Sequence, residues 1–127
     1  MPLVTIALAK GKPAPYRKAI VDGIYGALRE TFDVPENDLF MVVHEIDPAN
    51  FFVSPTYFDI ARSGDAVILQ LTVSNTRPFA KKQALYRRIV ARLRESPGVR
   101  PEDVFINLIE VVKENWSFGH GDAQYAT

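Results

Sequence analysis

The chain repeats itself. A step of 65 residues sets Asp38 on Asp103, Phe40 on Phe105, Glu45 on Glu110 and Val34 on Val99. The same step sets Pro13 on Pro78, Ala19 on Ala84, Ile24 on Ile89, Arg29 on Arg94 and Glu30 on Glu95, and Lys12 falls on Arg77. The register needs no gap, and the identities lie at matching places of strand, helix and turn, which chance does not readily supply. A fold that accepts this chain must use one structural unit twice.

The unit can be read directly. Leu3 to Leu8 is aliphatic and β-branched, which predicts a buried strand, and Lys10-Gly11-Lys12-Pro13 ends it. From Pro15 to Phe32, Ala19, Ile20, Ile24, Ala27, Leu28 and Phe32 recur at helical spacing, which predicts an amphipathic helix. Pro35-Glu36-Asn37-Asp38 reads as a turn and Leu39 to Ile46 as a second strand. An irregular stretch from Asp47 to Ser63 carries Phe51, Phe52, Tyr57 and Phe58. The pattern then returns as a strand over Ala66–Val73, a helix over Pro78–Glu95 and a strand over Asp103–Val111. The expectation is a single domain over residues 1–127, with repeat units at about 1–46 and 66–111 and a C-terminal extension over 112–127.

A β-α-β unit holds two parallel strands joined by a right-handed helical crossover. Two such units related by a pseudo-twofold axis pair into a four-stranded sheet with two helices on one face, an α/β (α+β) fold. The other face is left uncovered. The strand Ala66-Val67-Ile68-Leu69-Gln70-Leu71-Thr72-Val73 is too apolar for that face to remain in water, so a homo-oligomer is expected.

Composition removes several functional classes. Fifteen basic and fifteen acidic side chains cancel, which gives no support to a nucleic-acid or membrane-surface partner. With no cysteine, thiolate catalysis, disulfides and Cys-based metal sites are excluded. His44 and His120 lie far apart in sequence and make a weak case for metal; His44, in an apolar strand, reads as a core or interface histidine. No cofactor is expected, and Gly11 and Gly119-His120-Gly121 form no phosphate-binding fingerprint. The start, Met1 to Leu8, lacks the basic segment and cleavage site of a signal peptide, and no apolar run nears the roughly 20 residues that span a bilayer, so a cytoplasmic protein is expected. Lys81, Lys82, Arg87, Arg88, Arg92 and Arg94 fall mainly on the solvated side of the second helix, with Leu85, Ile89 and Leu93 facing in.

A chain that opens Met1-Pro2-Leu3, holds two β-α-β units, carries Val34-Pro35-Glu36-Asn37-Asp38 before its second strand and ends near Trp116-Ser117-Phe118-Gly119 resembles the tautomerase superfamily. Within it, the chain is most similar to malonate semialdehyde decarboxylase and its relatives. The resemblance spans nearly the whole chain. It implies removal of Met1, catalysis by the exposed amine of Pro2, and a homotrimer with sites near the protomer amino termini. It further implies Asp38 as the carboxylate beside Pro2, Arg77 as binder of a substrate carboxylate, and Trp116, Phe118 and Tyr125 as an apolar wall. One departure stands out. The decarboxylase pattern has arginines two positions apart around a proline, whereas Ser74-Asn75-Thr76-Arg77-Pro78 puts Asn75 in the first place. Tautomerase or hydratase activity gains by that change.

These residue types suit the chemistry. Proline alone offers a secondary amine at a free chain start, and an α-amino group titrates near pH 8. Burial and a nearby cation lower that value. A neutral amine moves a proton between carbon and oxygen in keto–enol tautomerisation; a protonated one polarises a carbonyl for hydration or decarboxylation. Arg77 presents a planar fork able to grip a carboxylate through two hydrogen bonds, and its cation would stabilise an enolate. The substrate class is therefore a small 2-keto, enol or 3-oxo carboxylate. Each residue also has a plainer reading: Pro2 as an aid to methionine removal, Asp38 as a turn residue like Asp103, Arg77 as an exposed helix-start residue like Lys12, and Trp116 and Phe118 as core or interface aromatics. A non-catalytic trimer serving as a binding or signalling protein is the alternative from a different class.

Overall fold

A computed structural model describes residues 1–126. Strand β1 (Pro2–Ala9) leads into helix α1 (Ala14–Phe32) and strand β2 (Met41–Ile46), and the series returns as β3 (Val67–Ser74), α2 (Phe79–Glu95) and β4 (Val104–Val111). Between the halves lie only two short 3₁₀ turns, Pro48–Asn50 and Tyr57–Asp59. The sheet order is β2-β1-β3-β4. β1 runs parallel to β2 and β3 parallel to β4, while the central pair, β1 and β3, is antiparallel. Thr5 faces Gln70, its own repeat counterpart, as a local twofold axis through that point requires.

The repetition extends to side-chain contacts. Pro13 and Pro78 stand at the two helix starts with nearly identical backbone, φ −71° and −72°, the angle that the pyrrolidine ring fixes. Arg17 pairs with Glu45 at 3.1 Å, and the equivalent Lys82 pairs with Glu110 at 2.7 Å, so each helix is tied to the outer strand of its own unit. Period-two alternation turns Val4, Ile6 and Leu8 of β1 and Leu69, Leu71 and Val73 of β3 toward the helices. There they meet Ile20, Ile24, Leu28, Leu85, Ile89 and Leu93 in one core, each large side chain contributing about 1.5–3 kcal/mol by burial. The helices cross closely at Gly23, where a Cβ would lie 2.9 Å from Leu93 Cδ2.

The basic run of α2 does more than face solvent. Arg88 and Arg92 both reach Glu30 of α1, and Lys81 reaches Asp33 at 3.1 Å. The two guanidinium groups hold the Glu30 carboxyl down at about 2. The opposite face of the sheet is bare in the protomer: Leu3 is 41% and Phe105 48% exposed, beside Val42 and Ile109. His44 lies on this face, since Ala7 is its partner across β1, and it is exposed. It is therefore not a core histidine of the protomer, because alternation from the inward-facing Val43 turns it away from the helices. No helix among the described residues is long and apolar enough to cross a membrane.

Candidate functional site

The site forms where the start of β1, the turn before β2 and the end of β3 meet. Pro2 is buried at the first position of β1, opposite Val73. A proline is tolerated there because a strand's first residue need not donate to the ladder. Asp38 is set by a tight turn in which its N–H donates to the Pro35 carbonyl at 3.2 Å. Asn37 takes the left-handed conformation this turn requires, φ 70°, and its N–H donates to the Tyr25 hydroxyl at 3.0 Å. Asparagine adopts that conformation more readily than most residues.

The chain's amino group, on Met1, lies 3.8 Å from Asp38 Oδ2, with side chains only 7% and 11% exposed. Burial is the main force on both groups. It lowers the amine below its ordinary value, an effect the Asp38 charge opposes and the Arg77 cation reinforces. It raises Asp38, against the opposing pull of the amine and Arg77. Each group is thus driven toward its neutral form, which suits one to accept and the other to hold a proton. Asp38 Oδ1 is buried without a hydrogen-bond partner among the described residues.

Arg77 follows β3 and precedes α2. Its Nη2 donates to the Phe32 carbonyl at 3.0 Å, and its guanidinium lies over the Phe32 ring at 4.7 Å. Among the described residues no carboxylate is paired with it. Trp116, Phe118 and Tyr125 form a continuous aromatic group: Trp116 stacks on Phe118 at 5.6 Å and Phe118 meets Tyr125 edge-on at 4.7 Å. Trp116 Nε1 donates to Ser74 Oγ at 3.2 Å, which anchors this wall to the end of β3. Gln124 holds the segment folded, accepting from the Phe118 N–H and donating to the Gly119 carbonyl, both at 2.9 Å. Burial and the Asp38 charge raise the Tyr125 phenol.

Two hollows flank the amine. One, of about 320 Å³, is bordered by Met1, Glu36, Asp38, Phe40, Phe118 and Tyr125. The other, of about 280 Å³, is bordered by Met1, Ser74, Thr76, Lys113 and Tyr125. Asn75 borders neither; it is exposed, with its backbone N–H bonded to the Val111 carbonyl. Sequence reasoning did not single out Ser74, Lys113 or Gln124. The repeat held no clue to Lys113 and Gln124, which lie beyond it in the C-terminal extension.

The second unit shows what the first has that it lacks. At the equivalent place Ala66 is in mid-chain, so its nitrogen is an amide without basicity. Asp103 is fully engaged, accepting from the Ser63 N–H at 2.7 Å and the Ser63 hydroxyl at 2.6 Å. Lys12, the counterpart of Arg77, is paired with Asp65 at 3.0 Å. The same scaffold therefore carries a satisfied polar lock in one half and a titratable amine, a partnerless carboxylate oxygen and an unpaired cation in the other. No group of three or more His, Asp or Glu among the described residues is placed to hold a metal.

Comparison with known proteins agrees with this architecture. A family model described as tautomerase enzyme matches residues 2–60, and a second of the same description matches residues 38–119. The chain is 36% identical over 124 residues to the probable tautomerase YusQ of Bacillus subtilis (strain 168), covering 98% of each. It superposes on a malonate semialdehyde decarboxylase, whose structures are a basis for decarboxylase and hydratase activities, with a TM-score of 0.91 and 28% identity, covering 97% of this chain and 95% of that one. A malonate semialdehyde decarboxylase inhibited by 3-bromopropiolate gives a TM-score of 0.91 at 32% identity, covering 97% and 93%. With the doubled β-α-β frame, the buried chain-start amine and matches that together reach from residue 2 to residue 119, this chain belongs to the tautomerase family of enzymes.

Proposed function

We propose that the protein, once Met1 is removed, is a cofactor-independent tautomerase of small 2-keto or enol carboxylates with Pro2 as its acid–base group. The observation that carries this reading is the chain amine buried 3.8 Å from Asp38 in a place where burial and Arg77 lower its pKa. Removal of one residue hands that environment to the secondary amine of Pro2. The neutral amine takes the hydroxyl proton of the enol, the C=C electron pair accepts a proton at carbon from the resulting ammonium, and the keto acid leaves with the amine restored. Arg77 binds the substrate carboxylate and steadies the enolate charge. Asp38, with its raised pKa, hydrogen-bonds the prolyl nitrogen. Trp116, Phe118 and Tyr125 exclude water.

Malonate semialdehyde decarboxylase or hydratase activity is the second reading, favoured by the 32% identity to one such decarboxylase. The mature protein assayed with phenylenolpyruvate, 2-hydroxymuconate and malonate semialdehyde separates the two. Turnover of the enol acids at rates well above that of the semialdehyde is the expected result; release of carbon dioxide from malonate semialdehyde alone would overturn it. The exposed apolar face around Leu3, Val42, Phe105 and Ile109 supports a homotrimer. Native mass spectrometry should give three times the 14.3 kDa chain mass, and a monomer at micromolar concentration contradicts the trimer.

A further inference from the structure

The local twofold axis relates hollows as well as side chains. Beside Asp103 lies a hollow of about 240 Å³, bordered by Phe52, Val53, Tyr57, Arg62, Ile68 and Phe105 together with Ala66 and Asp103. By the 65-residue step Ala66 is the counterpart of Met1, Asp103 of Asp38, Phe105 of Phe40 and Val53 of Phe118. Those four partners all border the hollow of about 320 Å³ beside the chain-start amine. Past the repeat units the structure keeps the same step, since the short turn Pro48–Asn50 falls on Lys113–Asn115. The linker thus reaches the second hollow as the C-terminal extension reaches the first. The hollow beside Asp103 is the repeat image of the candidate active site.

The image has lost the acid–base groups. Its chain nitrogen is the amide of Ala66, and Asp103 is held by the N–H and hydroxyl of Ser63. The linker supplies a cation and aromatic rings instead. Arg62 Nη1 donates to the carbonyls of Tyr57 at 2.9 Å, Ile60 at 3.3 Å and Ser54 at 3.5 Å, which anchors the guanidinium. Its Nε and Nη2 make no hydrogen bond among the described residues. An anchored planar fork with that edge uncommitted matches the two oxygens of a carboxylate. Phe52, Val53, Tyr57, Ile68 and Phe105 give the rest of the hollow an apolar lining, the combination of greasy wall and few placed polar groups that holds small ligands.

We propose that this hollow is a second, non-catalytic binding site for a small aryl or alkyl carboxylate. Nε and Nη2 of Arg62 grip the carboxylate, and the apolar body lies against Phe52, Tyr57 and Phe105. The ligand leaves unchanged, because no basic nitrogen stands beside it and Asp103 is already engaged. The site stands apart from the Pro2 mechanism and survives its failure.

The chain has a single tryptophan, Trp116, and Phe52 is 87% exposed. Phe52→Trp combined with Trp116→Phe therefore places the only indole at the second hollow, where its fluorescence reports binding there and not beside Pro2. Phenylacetate titrated into this assembled protein should give a saturable change with one site per chain. Phenylacetamide, of the same shape but uncharged, should bind about tenfold more weakly or worse, as should phenylacetate to the same protein carrying Arg62→Gln. Arg62 also anchors the linker, so a second variant separates binding from folding. Tyr57→Glu, at a side chain 63% exposed, sets a like charge beside the ligand and leaves the backbone carbonyl that Arg62 uses in place. It should weaken phenylacetate binding with the melting temperature unchanged. No saturable signal, as when a neighbouring copy fills the hollow, overturns the inference. So does equal affinity for acid and amide, or phenylacetate binding that Tyr57→Glu leaves unaltered.

Discussion

Pro2→Ala should lower kcat of the mature protein toward its enol acid by about 10²–10⁴-fold, the range that a positioned acid–base group supplies. The substitution leaves an amine at the same place, so the loss tests the kind of amine and its setting. Alanine presents a primary amine on a freely rotating backbone, whereas the pyrrolidine ring fixes the nitrogen's direction relative to β1. Circular dichroism and the melting temperature should change little, because Pro2 ends a strand whose register is set by the other pairs from Leu3 to Leu8. Equal turnover by the two proteins on every substrate accepted removes the proline mechanism.

Arg77→Ala should cut kcat/KM by about 10²–10³-fold, mostly through KM, since it deletes a bidentate, charge-assisted grip on the carboxylate. Its effect on the amine has a definite sign. The Arg77 cation lowers the amine's pKa, so removing it raises that pKa and moves the acid limb of the pH–rate profile to higher pH. Asp38→Asn acts oppositely, because the carboxylate charge raises the amine. Arg77→Lys keeps the charge without the planar fork and should recover the pH profile better than the KM. Loss of the bond to the Phe32 carbonyl costs about 0.5–1.5 kcal/mol of stability, small beside the kinetic loss. Kinetics indistinguishable from wild type would take Arg77 out of the site.

The architecture was legible because its information is local and written twice. Helical spacing at Ile20, Ile24 and Leu28, prolines at both helix starts and aliphatic strands each point one way, and the second copy repeats them. Pairing order and the bare sheet face follow from joining two β-α-β units. The meeting of residues at the site was reachable only through resemblance. Met1, Asp38 and Arg77 are far apart in sequence and come together because the antiparallel β1–β3 pairing sets the end of β3 beside the start of β1, while the parallel β1–β2 pairing sets the turn before β2 there. The different fates of Asp38 and Asp103 were not legible, since they depend on Ser63, which lies in the irregular linker and has no counterpart in the repeat. Lys113 escaped notice because a lone lysine after a strand resembles any solvated residue until a cavity is found beside it. For His44 only the core half of the core-or-interface reading is removed, because alternate residues of β2 face the helices and His44 lies on the bare face of the sheet.

The most direct measurement is a titration of the Pro2 nitrogen itself, by ¹⁵N NMR of the mature protein labelled at proline. A secondary amine that titrates below the ordinary α-amino value of about 8, shifting upward in Arg77→Ala and downward in Asp38→Asn, is the predicted result. A nitrogen that titrates at or above that value and responds to neither substitution would contradict the account.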